Sequence, residues 1–122
     1  MGSLLLADED DAMEVLCLDW QSWFELIGRP RFTLLKIDIE GGEFALLPTM
    51  ADYLAAEKPH LYLSLHPHLL PKASREKAMA DIAGILSCYP HCIAAGGRTI
   101  DLSDRTWEGA IDTPGSYLLS AE

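Results

Sequence analysis

A chain of 122 residues has room for one domain, and with 49% hydrophobic and 23% charged residues it is composed to fold. Nine Lys and Arg against nineteen Asp and Glu leave a net charge of −10, which argues against a nucleic-acid or anionic-membrane surface, since both need clustered positive charge. No apolar run approaches the ~20 residues of a membrane span, the first residues lack the basic start of a secretion signal, and three cysteines without a C-x-x-C pair point to a reducing cytoplasm, away from a disulfide framework or zinc finger.

Asp8 to Asp11 with Glu14 form an acidic cluster, expected as a solvated loop. Residues 14–18 predict a short strand. Asp19 is placed to cap a helix, because its carboxylate can accept the free amides of a first turn. Trp20, Trp23, Phe24 and Ile27 follow at helical spacing, the two tryptophans expected as core residues ahead of a stacking platform, and Gly28 stands where a left-handed residue closes a helix. Residues 33–39 are β-branched and nearly continuous in apolar character, which predicts a strand covered on both faces in a parallel sheet. Lys36 must then lie at an edge or reach a carboxylate, since a lone buried ammonium is costly. Glu40-Gly41-Gly42-Glu43 is a sharp polar exit, with Glu43 expected in the next helix's first turn for its dipole.

Phe44 to Glu57 is helical in composition, and Pro48 predicts a break with a restart near Thr49. Lys58-Pro59 ends that helix, residues 60–66 predict the next strand, and Pro67 stops it. Ser74 is placed as an N-cap, and Ala78, Met79, Ile82, Ile85 and Leu86 mark the buried stripe of a third helix. Tyr89-Pro90 closes it. Residues 91–95 predict a strand, Gly96-Gly97 a turn, 98–115 a loop and 116–120 a final strand. Strands alternating with crossover helices indicate an α/β sandwich with a mostly parallel sheet. The last two strands lack a helix between them, which predicts an antiparallel last strand.

Ligands of open parallel sheets bind at the carboxyl ends of strands. Two such ends carry unusual groups: Asp38-Ile39-Glu40-Gly41-Gly42 and Leu65-His66-Pro67-His68. If the strand lasts that far, Asp38 and Glu40 share a face, and if the two strands are neighbours His66 joins them. A carboxylate beside an imidazole suits general-base work. The same trio, with His68, has the donor types of a divalent-metal site. The competing uses are plainer: Asp38 as a cap for the following helix, and His68 and His91 as surface histidines.

Residues 35–43, Leu-Lys-Ile-Asp-Ile-Glu-Gly-Gly-Glu, then a helix, then Lys58-Pro59 and Leu61-Tyr62-Leu63-Ser64-Leu65-His66, resemble the FkbM family of S-adenosylmethionine-dependent methyltransferases. Val15-Leu16-Cys17-Leu18-Asp19 is similar to the strand and helix start upstream in that family, and Gly2-Ser3-Leu4-Leu5 to a serine-rich loop before it. The resemblance spans about residues 2–68. Ser64 departs from the glutamate usual two residues before the histidine, which removes an acid that would orient His66.

The resemblance implies a partial Rossmann-like methyltransferase sandwich with sheet order 3-2-1-4-5-7-6, in which residues 33–39 and 60–66 are the fourth and fifth strands. It also implies that residues 1–122 are one domain holding the carboxyl-terminal half, since no glycine-rich cofactor loop stands in them. The implied reaction is methyl transfer from S-adenosylmethionine to a hydroxyl of a sugar or secondary metabolite. Asp38 is then a polar group at the transfer site, His66 a base and Glu40 a second acid or a loop anchor, with no metal ligand and no cofactor-binding residue assigned. This chain alone is expected to be inactive and to bind the cofactor poorly. The alternatives are a non-catalytic module that self-associates through an open sheet edge, and a metal-dependent hydrolase built on Asp38, Glu40, His66 and His68.

Overall fold

The computed structural model describes residues 3–6, 15–103, 107 and 110–122. The acidic cluster of residues 8–11 and 14 lies outside them. The chain divides into two compact units, residues 1–30 and 31–122.

In the first unit, β1 (Ser3–Leu6) pairs antiparallel with β2 (Val15–Leu18), Ser3 opposite Leu18 and Leu6 opposite Val15. Ser3 to Leu5, likened to a serine-rich loop, thus lie in a strand whose backbone pairs with β2. Helix α1 (Trp20–Leu26) is capped as expected: the Ser22 amide donates to Asp19 Oδ1 at 2.7 Å. Its other end closes through Gly28 at φ +91°, with the Gly28 amide on the Glu25 carbonyl and the Arg29 amide on that of Phe24. These are the paired bonds of a Schellman closure. Trp20 is buried and stacks on Phe24 at 5.0 Å between ring centroids.

The second unit contains β3 (Leu34–Ile37), α2 (Glu43–Glu57), β4 (His60–Leu65), two 3-10 turns (Pro67–Leu69 and Lys72–Ser74), α3 (Arg75–Leu86), β5 (His91–Ala94) and β6 (Gly115–Ser120). The strands form one sheet in the order β3-β4-β6-β5. β3 and β4 are parallel, and β6 runs antiparallel to both β4 and β5. This is the arrangement 4-5-7-6 that the resemblance implies, antiparallel last strand included.

Register explains the core. Leu35, Leu61, Leu119 and Cys92 form one row across the sheet, and Ile37, Leu63, Tyr117 and Ala94 the next. All but half-buried Leu35 are buried. Helix α2 lays Leu47, Met50 and Leu54 toward this core, α3 lays Met79, Ile82, Ala83 and Leu86, and the two helices pack on each other. Both crossovers step the same way across the sheet. Right-handed connections therefore put both helices on one face.

The expectation that residues 33–39 are covered on both faces is corrected here. Leu34 and Lys36 are exposed, because the second crossover does not reverse direction to bring a helix to the other face. Lys36 lies on an edge strand of this sheet, its ammonium 5.8 Å from the Tyr62 ring centroid.

Helix α2 runs unbroken through Pro48, against the expected restart at Thr49. Pro48 sits on the exposed side, opposite the buried stripe, and the one lost amide bond faces solvent. Thr49 Oγ1 donates to the Leu46 carbonyl at 2.6 Å in the same turn. Ser74 occupies the N-cap position of α3 but makes no capping bond, since a 3-10 turn leads straight into the helix.

Candidate functional site

Strand β3 stops at Ile37, one residue before the acids. Asp38 and Glu40 therefore do not project as alternate residues of a strand, as the sequence suggested. A tight turn brings them together instead: the Gly42 amide donates to the Ile39 carbonyl at 3.1 Å, with Glu40 at φ +55° and Gly41 at φ +96° between. Two successive left-handed residues are the pattern of a type I′ turn. Gly41 takes its place without strain, whereas the glutamate before it costs about 1–2 kcal/mol. Asp38 makes no cap to α2, whose N-cap position is Gly42.

Glu43 opens α2 and is 0% exposed. Its Oε2 accepts from the Gly41 amide at 3.2 Å. Its Oε1 accepts from the His66 amide at 2.6 Å and lies 2.9 Å from His66 Nδ1. A carboxylate can be buried here because donors surround it. The sequence reading, which gave Glu43 only a dipole role, missed this partnership. The usable signal was Glu43's place at the end of the acid-glycine motif.

His66 follows β4, just before Pro67 opens a 3-10 turn. Because β3 and β4 are parallel neighbours, Asp38 and His66 meet at one sheet end: His66 Nε2 is 3.6 Å from Asp38 Oδ1. Ser64 Oγ lies 3.1 Å from Ser116 Oγ, and the carboxylate beside the His66 ring is that of Glu43.

Asp38, Glu40 and His66 offer ligand atoms within 4.8 Å of one another, which is compatible with a cation. His68 is not part of that group. Its ring lies 5.9 Å from that of His66, half-buried, with Nδ1 buried and without a hydrogen-bond partner. His91 is exposed, as expected.

A cavity of about 560 Å³ opens at this sheet end, lined by Asp38 and His66 together with Arg98, Thr113, Ser116 and Tyr117. Glu40 does not line it. Burial pushes the Tyr117 phenol above its ordinary value, so it faces the cavity protonated. Gly115 must stay small, because a Cβ there would stand 2.6 Å from Tyr117 Oη. Arg75 fixes the surrounding loops: Nη2 donates to the His68 carbonyl, Nε to that of Leu70, and Nη1 to Asp112 Oδ1. Arg98, Thr113, Ser116 and Tyr117 were not singled out from the sequence.

The family model described as the methyltransferase FkbM domain matches residues 7–82, more than half of the chain and all four of Asp38, Glu40, Glu43 and His66. No curated protein matches the chain, and no solved structure does.

Proposed function

The chain belongs to the methyltransferase FkbM family, and from that premise we propose that it serves methyl transfer from S-adenosylmethionine to a hydroxyl oxygen of a small molecule, a sugar or secondary metabolite. The observation that carries this reading is that Asp38 and His66, 3.6 Å apart, line one cavity of about 560 Å³. That volume suits a small-molecule acceptor.

A hydroxyl is a weak nucleophile until its proton is removed. His66 Nε2 stands at the cavity to take that proton, and Asp38 stabilises the imidazolium that results. Glu40 is a second acid or an anchor of the turn. S-adenosylmethionine would supply an electrophilic methyl group on its sulfonium. The residues present fit the acceptor side of this chemistry. They do not supply the adenosine side, for no G-x-G loop stands in residues 1–122. We read the chain as the carboxyl-terminal part of such a domain, because its sheet order corresponds to strands 4-5-7-6. Three free thiols suit the cytoplasm, and among the described residues no helix is long and apolar enough to cross a membrane.

Two measurements on the chain test this. Calorimetry with S-adenosylmethionine is expected to show no saturable binding in the micromolar range, and micromolar affinity would overturn the assignment of the cofactor to a missing part. Ring-proton shifts of His66 and Tyr117, followed against a panel of sugars and other hydroxylated metabolites, are expected to move saturably with some members. A flat response across the panel, or one unchanged in the Asp38→Asn variant, counts against the acceptor site.

A second reading, distinct from pairing through the sheet edge, is a module that covers its sheet face with its own copies: Tyr62, Leu118 and Ile93 lie exposed side by side there.

A further inference from the structure

Glu43 lies away from the cavity lining, fully buried, yet it touches both loops that carry the site. One oxygen accepts from the Gly41 amide, in the turn after β3. The other accepts from the His66 amide, after β4, and stands 2.9 Å from His66 Nδ1. We infer that Glu43 is the positioning residue of the site: it ties the two strand ends together and fixes the imidazole in the tautomer that leaves Nε2 free to take a proton. This deepens the proposed function and rests on it for the role of His66.

The argument is one of donors and acceptors. An ionised carboxylate can only accept, so the short contact to Nδ1 requires the ring proton on Nδ1. In the neutral ring the lone pair then sits on Nε2. That atom points to Asp38 Oδ1, an acceptor at 3.6 Å that offers it no proton. Nε2 is thus left to accept from a hydroxyl in the cavity, and once protonated it faces a carboxylate that stabilises the charge. Free imidazole side chains favour the opposite tautomer, with the proton on Nε2, which would present a donor to the acceptor hydroxyl and no base. The backbone bonds add geometry. The His66 amide and the His66 ring share one oxygen, so main chain and ring are held against the same point. The Gly41 amide on the second oxygen sets the turn that carries Glu40.

The test reads the ring nitrogens directly and needs no activity. In two-bond proton–nitrogen spectra of the wild-type chain, above the pH at which the ring titrates, His66 is expected to show a protonated Nδ1 and a bare Nε2. A protonated Nε2 overturns the proposal outright, with no variant required. In Glu43→Ala the ring is expected to shift toward the Nε2-protonated form. In Glu43→Gln, whose side-chain oxygen can still accept from Nδ1, it is expected to keep the wild-type pattern. Hydrogen exchange supplies the second reading: the Gly41 and His66 amides should exchange about tenfold faster or more in Glu43→Ala, while the Leu63 amide keeps its protection. Uniform loss of protection would show general destabilisation, and the wild-type ring pattern then decides. If the tautomer is as expected but no hydroxyl compound moves the His66 ring, the clamp stands and the proposed reaction fails.

Discussion

Cys92 ends the buried row of the sheet, on edge strand β5 beside Leu119, and burial pushes its thiol from 9.0 to about 11. The neutral thiol is what the fold accommodates. Its contribution to stability is therefore whole below the unfolded value and is lost as pH rises through the folded one. Burial raises Tyr89 and Tyr117 in the same direction, so they lose stability at alkaline pH as well. Urea unfolding followed across this range should show stability flat up to pH 9 and falling toward pH 11, by about 2 kcal/mol on account of Cys92, with the two tyrosines adding to the fall. Cys92→Ala should flatten part of that fall, and an unchanged slope would mean that the thiol ionises without cost. The same buried setting predicts a thiol slow to react with alkylating reagents at neutral pH, where half-buried Cys17 and Cys88 react before it.

Helix α2 marks the limit of what residue types announce. A lost amide bond and a ring clash with the carbonyl four residues back are what proline brings to a helix interior. What decides the outcome at Pro48 is the stripe Glu43, Leu47, Met50 and Leu54 on the opposite side, whose burial holds the helix through the defect. That stripe is a property of the packed state. Replacing Pro48 with Ala restores the bond to the Phe44 carbonyl and should stabilise the protein by about 1–3 kcal/mol in chemical denaturation; a neutral or destabilising result would show that the proline is itself packed. The strand end is a similar case. Ile39 reads as strand from its apolar side chain, but it is exposed and already belongs to the turn. By contrast β4 was legible, because Leu61, Leu63 and Leu65 alternate with Tyr62 and Ser64. Asp38 and His66 were legible as neighbours because parallel strands with a crossover helix bring their carboxyl ends together. Glu43 was not, since a carboxylate in a first helical turn has one obvious use, and its histidine lies 23 positions away.

At the scale of the unit formed by residues 31–122, the shared direction of the two crossovers leaves an uncovered sheet face. Lys36, Tyr62, Leu118 and Ile93 stand in one row across that face, with Tyr62, Leu118 and Ile93 exposed by 41%, 45% and 43%. Full burial of each apolar side chain is worth about 1.5–3 kcal/mol, so the row favours a covering surface. Net charge opposes the simplest one: at −10, two copies of the chain repel each other. The repulsion is screened within about 10 Å at 0.1 M salt, whereas the apolar attraction is not weakened by salt. Self-association is therefore expected to be concentration-dependent and to strengthen as salt is added, the reverse of an interface held by opposite charges. Light scattering across protein and salt concentration measures it. Leu118→Glu puts a carboxylate in the centre of the row and should hold the chain monomeric, while Arg31→Glu, away from that row, should not. A wild-type chain that stays monomeric at high concentration in high salt would show that the face is tolerated in water and would remove the support for pairing through the sheet.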